Sequence, residues 1–400
     1  MQHLFSTIIH PGHFWRQIKM SELGELYVSM TLKSLALSLI AIFIPVFLYQ
    51  EGYSIVEIGL FYAFYFTCRI VFDLLAGYLT ARFGPKHLLS YSCILLIVFL
   101  GLLLTLPVYG WPLFFIATIK ALFNSFFFVA YHIDFSKVHS VKNAGAELSL
   151  MNILVRTAAA AGPFVGGVVA TLFSIEVTIV MALVLVLLAI WPLLLTAEPI
   201  KKQRQLNLNT FSMKDNFANL VSYTSLGISR QVGLAIWPLY ISVFIFTDDI
   251  YAKVGLVTSV SIGISLLVTR LYGKIIDKNA GRILLNNSSI FNTLIHALRP
   301  TVGSLGGVTL VNMTSELAET GTILSFTKGF YDEADSAKNR IAYISMMESM
   351  IAATRAIFWL GLVWMIMAYG DKTALIASFY LAAIASLLVT VQKFAALKKA

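Results

Sequence analysis

Eight charged side chains interrupt stretches of this sequence that are otherwise apolar: Lys33, Lys120, Arg156, Arg230 and Arg355, set against Glu316, Glu319 and Glu348. A charge in such surroundings is costly and faces a cavity, a partner or a ligand. Five cations against three acids leave at least two cations without an obvious acid. A carboxylate or phosphate would neutralise that surplus, and Arg156 and Arg230 suit the task because a guanidinium grips such oxygens with two parallel hydrogen bonds. The acids allow a second chemistry. Burial favours the neutral carboxyl and a nearby cation the ionised one, so a change of surroundings would load and unload a proton.

These residues recur at helical spacing, three or four apart, which puts each group on one helix face. Glu25, Ser29 and Lys33 form one stripe, and Lys120, Asn124, Phe127 and Tyr131 another, ending at His132 and Asp134. Ser149, Asn152 and Arg156 form a third, while Arg230 and Gln231 precede Trp237-Pro238. The longest stripe is Thr309, Asn312, Glu316, Glu319/Thr320 and Thr327, answered by Ser345, Glu348, Ala352 and Arg355. Asn124 and Asn152 therefore join the eight charges as expected solute contacts. Arg69 and Asp73, four apart, read most simply as an ion pair within one helix.

The elements that carry these stripes are membrane helices. With 58% hydrophobic and 12% charged residues and a mean hydropathy of +0.82, the chain cannot clothe a water-soluble globule. Apolar runs of helix-crossing length recur, without the ten-residue alternation of a barrel. Twelve spans are expected, at 24–49, 54–80, 88–107, 110–134, 146–173, 176–197, 216–246, 251–276, 283–299, 304–328, 340–369 and 373–394. Span 283–299 is unusually polar, with Asn286, Asn287, Ser288, Ser289, Asn292 and His296. The expected organisation is a cytoplasmic segment 1–23, a six-helix bundle 24–197, a linker 198–215 and a second six-helix bundle 216–400. Phe5, Ile8, Ile9, Phe14 and Trp15 suit either a segment on the inner membrane face or a tail, and residues 1–20 carry no signal-peptide pattern.

The net charge of +9 does not indicate nucleic acid, because of where it lies. On this assignment nineteen of the 29 Lys and Arg fall on the side of both termini, three on the other (Lys253, Arg299, Lys372) and seven within spans. The positive-inside rule then places both termini in the cytoplasm. Cys68 and Cys93 lie in apolar runs as packing residues.

The chain also repeats itself. Adding 196 to the basic turn Gly77-Tyr-Leu-Thr-Ala-Arg-Phe-Gly-Pro-Lys-His-Leu-Leu89 lands on Gly273-Lys-Ile-Ile-Asp-Lys-Asn-Ala-Gly-Arg-Ile-Leu-Leu285. Gly77 falls on Gly273, Arg82 on Lys278 and Lys86 on Arg282, and further on Ser149 falls on Ser345 and Asn152 on Glu348. In Gly77, Leu79, Arg82, Gly84, Lys86 and Leu89 the turn resembles the loop between the second and third helices of the major facilitator superfamily. Ala81 stands where that pattern has Asp, while Asp277 keeps the acid in the second copy. Ala158-Ala-Ala-Ala-Gly-Pro-Phe-Val-Gly-Gly167 is similar to the Gly-Pro run in the fifth helix of the superfamily's antiporters, with Gly162, Pro163, Gly166 and Gly167 as packing positions.

The resemblance implies an all-α membrane protein of twelve helices in two pseudo-symmetric six-helix halves. It also implies gating by Arg82, Lys86, Lys278 and Arg282, helped by Asp73 and Asp277. No metal-ligand spacing, phosphate-cradling Gly-Lys-Ser/Thr or Gly-x-Ser-x-Gly is present, so no enzyme, cofactor or metal is expected. The expected function is a monomeric, multi-pass secondary transporter of the cytoplasmic membrane, exporting or exchanging a small organic solute of negative or mixed charge, with possible proton coupling. An amphiphile or drug efflux antiporter is the second reading, and a non-transporting receptor or scaffold on the same fold the third. Single cysteines at Gln203 and Lys142 on a cysteine-free background test the orientation. They are expected to label only once the cytoplasmic face is opened.

Overall fold

The start and stop of each helix follow local chemistry. Ser54 caps one helix, its hydroxyl accepting from the Glu57 N–H while the Glu57 carboxylate accepts from the Ser54 N–H. Ser304 and Asn339 cap two others through their side chains. The basic turn of the first repeat closes at Gly84, whose φ of 91° ends one helix, and Pro85 opens the next. Its second copy turns through Asn279 at φ 62°.

The computed structural model describes residues 22–138, 144–195 and 206–397, the side chains of 22–26, 134–138, 144–152, 192–195 and 396 lying outside the described set. The described residues contain no strand and form twelve helical runs. Helix α1 comprises Glu22–Ile40 and Ile44–Gln50 joined by a 3₁₀ turn; α2 is Ile55–Phe83, α3 Pro85–Tyr109, α4 Leu113–Val138, α5 Ala144–Leu172 and α6 Ile175–Leu195. Helix α7 comprises Phe217–Gln231 and Trp237–Phe244 around a π turn, Val232–Ile236; α8 is Ile250–Ile275, α9 Gly281–Leu298, α10 Leu305–Ser336, α11 Arg340–Tyr369 and α12 Asp371–Leu388. Pro238 has no N–H to give the carbonyl of Leu234, so the break in α7 is where the ladder must loosen.

The expected spans match these runs closely, except that α10 continues to Ser336, two turns past the expected end, and α12 stops at Leu388, short of the expected 394. The polar span 283–299 is a regular helix. Its Ser288, Ser289, Asn292 and His296 are buried, which explains how a segment so polar keeps helical form in apolar surroundings. The segment 1–21 and residues 198–205 of the linker lie outside the described residues. By length and hydropathy eight described stretches could cross a membrane, one of them the 52-residue Ile250–Thr301 that holds α8 and α9. Helix α6 falls outside that set because its described apolar part, Ile175–Trp191, is short, and α7 and α10 because one is interrupted and the other carries the long polar stripe.

Helix α1 packs on α5 and α6, α2 on α4, and α3 on α4 and α6; in the second half α8 packs on α10, α9 on α10 and α12, and α7 on α11 and α12. Two seams join the halves, α2 against α11 and α5 against α8. Glycine permits both. A Cβ at Gly59 would overlap Val363, and one at Gly77 would overlap Ser345, so α2 meets α11 near both ends. On the other seam Gly167 faces the carbonyl of Tyr251 and Gly255 that of Pro163. Gly162 and Gly166 lie against Ser38 and Leu39 of α1, so the Gly-Pro run is accounted for by packing. Buried apolar side chains form two clusters, one reaching Phe66 and Ala352 and the other Ala76 and Met347. Between those depths lie buried charges.

The α5–α8 seam predicts a sharp contrast. Gly167→Val or Gly255→Val pushes a side chain into backbone and should cost about 1–3 kcal/mol, seen as a lower melting temperature in detergent. Gly263→Val, with nothing within 4 Å, should melt like the parent.

Candidate functional site

Arg69 on α2 is 3% exposed and forms ion pairs at 3.1 Å with Asp73, one turn along its own helix, and with Glu348 on α11. Tyr223 of α7 donates its hydroxyl to the other oxygen of Glu348, and His132 Nε2 of α4 stands 3.6 Å from that oxygen. His132 Nδ1 lies 2.7 Å from the Tyr331 hydroxyl of α10. Five helices from both halves thus converge on one carboxylate. Arg355, a further two turns along α11, gives its Nε–H to the carbonyl of Gly227 at 3.0 Å and lies over the Phe66 ring, within electrostatic reach of Glu348. Arg69, His132, Tyr223, Glu348 and Arg355 line a cavity of about 100 Å³.

A second cavity, of about 60 Å³, lies farther along α7, walled by Trp237, Arg299, Asn312 and Glu316 among others. The two are divided by Arg230 and Glu319, whose Nε···Oε1 ion pair is 2.8 Å; Arg230 lines the first cavity and Glu319 the second. Arg156 and Glu316 feel each other's charge, yet among the described residues neither has a hydrogen bond or ion pair.

The ten expected solute contacts therefore divide. Arg230, Glu316, Glu319, Glu348 and Arg355 line the two cavities. Lys33 does not: it is 2% exposed inside the first half, where its Nζ donates to Ser92 Oγ at 2.8 Å and sits 3.7 Å from the centre of the Phe127 ring. Lys120 likewise faces rings, 5.1 Å from Tyr65 and 5.2 Å from Phe99, and Asn124 spends its amide on the Lys120 carbonyl of its own helix. Aromatic faces accept cations, so these two lysines need no carboxylate. The side chain of Asn152 lies outside the described residues, as does that of Asp134 beside His132.

Asp73 is not joined to the basic turn, because Arg69 holds it four residues away in a fully buried pair. Among the described residues Arg82 reaches Tyr78 at 3.4 Å and the face of Phe83. Among the described residues Asp277, Lys278 and Arg282 form no ion pair, and all three are exposed, the first two in the turn and Arg282 in the first turn of α9. Gly77 takes part in the seam to α11, while nothing described lies within 4 Å of a Cβ at Gly273.

Arg299, expected in an outer loop, is 3% exposed. The 3₁₀ turn Arg299–Thr301 that ends α9 folds its side chain back under Trp237, where it donates to His296 and Ser315. No stripe contains it, since it lies just beyond the apolar run. Tyr223 and the partner of His132 were also missed; only the chain's folding brings Tyr223 and Glu348, 125 residues apart, together.

The sequence profile described as Major Facilitator Superfamily matches residues 26–313. The chain belongs to the major facilitator superfamily. Its members' fold is seen in two crystal structures of the nucleoside transporter NupG, one a point mutant: 12% identity each, TM-scores 0.71 and 0.68, covering 95% and 93% of this chain and 100% and 98% of those chains. A POT family transporter in complex with a thioalcohol-conjugated peptide is similar too, at 11% identity and TM-score 0.68, over 92% of this chain and 94% of that one. No curated protein matches. The superfamily member described here is thus a multi-pass membrane transporter rather than an enzyme.

Removing Arg69 would leave Asp73 and Glu348 as facing buried acids. Arg69→Met should therefore destabilise by about 3–5 kcal/mol, whereas Arg69→Met/Asp73→Leu/Glu348→Leu should recover much of the loss, as read by thermal unfolding of both variants. Equal melting of single and triple variants would show that the ion pairs contribute nothing.

Proposed function

We propose that this protein is a secondary transporter that moves a small organic solute of negative or mixed charge across the cytoplasmic membrane, coupled to a proton. The halves 24–197 and 216–400 rock about the two seams, exposing the midplane cavities to one side and then the other. The observation that carries this reading is the balance of charge around Glu348. Arg69, Arg230 and Arg355 stand against Asp73, Glu319 and Glu348, so with neutral His132 the cluster is balanced. A proton taken up by His132 or Glu348 leaves one surplus positive charge at a cavity wall, and a carboxylate entering the cavity removes it. Proton and anion then favour each other's binding, which is coupling in its thermodynamic sense.

The same cluster joins α2, α4, α7, α10 and α11, so its ion pairs must rearrange when the halves separate. Arg156 and Arg230 remain the residues proposed to grip the solute, since Arg156 has no direct partner among the described residues and Arg230 can exchange Glu319 for a ligand oxygen. The basic turns with Arg82, Lys86, Lys278 and Arg282 are proposed to set orientation, with both termini cytoplasmic, and the protein to work as a monomer. Exchange or export is the favoured direction. The alternative of amphiphile efflux draws less support now that the Gly-Pro run has a packing role.

Flux into proteoliposomes under an imposed pH gradient, across a panel of small carboxylates, phosphates and zwitterions, tests the proposal. At least one solute is expected to move with protons. Glu348→Gln should uncouple flux from the gradient, and Arg230→Gln should lower it by about tenfold or more, the effect of roughly 1.4 kcal/mol of lost binding. Flux indifferent to pH, or unchanged in both variants, would sink the reading.

A further inference from the structure

The wall of the second cavity is backed by a hydrogen-bonded ring that no stripe in the sequence announces, reaching the cavity at Arg299 and Ser315. Arg299 donates to His296 Nδ1 at 3.0 Å and to Ser315 Oγ at 3.1 Å. Ser315 donates to Asn292 Oδ1 at 3.4 Å, and Asn292 Nδ2 donates to Ser229 Oγ at 3.3 Å. Ser229 Oγ lies 3.0 Å from His296 Nε2, which closes the ring, and 2.8 Å from Ser386 Oγ. Arginine has only donors, so His296 Nδ1 must accept and its proton sits on Nε2. The ring holds the guanidinium rigidly at the cavity wall and leaves Arg299 Nε buried with no partner among the described residues.

Asn312 on the same wall is fixed by an analogous argument. The Trp237 indole N–H can only donate, so the Asn312 atom 2.5 Å from it is the carbonyl oxygen, and the amide N–H groups are left over. Glu316 supplies the opposite sign, a carboxylate without a direct partner among the described residues. Ile42, Ile241 and Val254 add apolar surface, with the hydroxyls of Thr258 and Ser261 beside them, around a void of about 60 Å³.

From this arrangement we infer that the second cavity is a binding site for a small zwitterion of the α-amino-acid type. Arg299 and Asn312 take its carboxylate, Glu316 takes its ammonium, and an apolar tail lies against Trp237 and Val254. A simple anion would leave Glu316 facing like charge, and a simple amine would leave the Arg299 Nε–H and the Asn312 amide without an acceptor; a molecule carrying both charges satisfies both walls. The inference rests on the mixed-charge reading above and names its solute class. It also gives the Arg230–Glu319 pair a second role, as the partition between this site and the cavity at Glu348.

Three matched probes test it in equilibrium binding to the purified full chain with no gradient: L-valine, its deaminated analogue 3-methylbutanoate and its decarboxylated analogue 2-methylpropylamine. Valine should bind saturably, at least about tenfold more tightly than either analogue, each lacking one of two charge-assisted contacts. Arg299→Gln should abolish the preference of valine over the amine, and Glu316→Gln its preference over the carboxylate. Asn312→Ala, which leaves the Arg299 ring untouched, should weaken valine and 3-methylbutanoate alike without affecting the amine, so the test survives if Arg299→Gln does not fold. Equal affinities for all three probes, no binding of valine, or an unaltered preference in Glu316→Gln and Asn312→Ala would overturn the inference. Valine binding without proton-driven flux of any solute would instead refute the transport reading alone, and flux of another solute with no valine binding this inference alone.

Discussion

One constraint orders the interior of this protein: a guanidinium at position 69 is buried between two carboxylates, one on its own helix and one across the boundary between the halves. A charge at that depth cannot be left alone, because the loss of hydration amounts to several kcal/mol even after relaxation. Arg69 therefore fixes where Glu348 must stand, and with it the depth at which α11 passes α2. Tyr223 and His132 then complete the coordination of Glu348, which fixes α7 and α4 in turn. The apolar clusters above and below this level pack well, but they would tolerate sliding. The charge layer selects one register among many.

The internal repeat reappears in the packing. Shifting Gly59 and Gly167 by 196 positions gives Gly255 and Val363, and these four residues make the two seam contacts: Gly59 with Val363, and Gly167 beside Gly255. The offset read from loop residues thus holds inside the membrane, where little sequence similarity survives. Charge breaks the symmetry. Arg69 and Glu348 correspond to Ser265 and Asn152, both neutral, so the ion pair that one seam carries at mid-depth has no counterpart at the matching positions of the other.

Much of the fold was legible because the signals are local. Hydropathy and length locate the helices, and Gly84, Pro85 and Ser54 mark their ends. The acids of the site were legible as well, since Glu316, Glu319 and Glu348 sit in apolar runs at helical spacing. What spacing cannot supply is the partner. Lys33 and Lys120 looked like solute contacts because a buried cation wants a neutralising group, yet Phe127, Tyr65 and Phe99 serve instead, and an aromatic ring in a membrane helix carries no distinguishing signal. Arg299 failed for the opposite reason: it lies outside the apolar run, and only a turn at the end of α9 returns it to the interior. Asp73 was assigned to the neighbouring basic turn on family pattern, while the i, i+4 spacing to Arg69 was the better guide.

The glycine seam has a consequence for how this molecule responds to its surroundings. Where α5 meets α8, glycines face the carbonyl oxygens of Tyr251 and Pro163, the Ser259 and Thr171 hydroxyls accept from the N–H groups of Phe164 and Ala252, and among the described residues no ion pair crosses the seam. Such a contact of neutral groups is indifferent to ionic strength and to acidity. In the proposed cycle it serves as a bearing, and the α2–α11 seam, with its ion pair, as the clasp that protonation would loosen. A protein built with one of each can let conditions at the membrane alter a single seam while the axis opposite keeps its alignment.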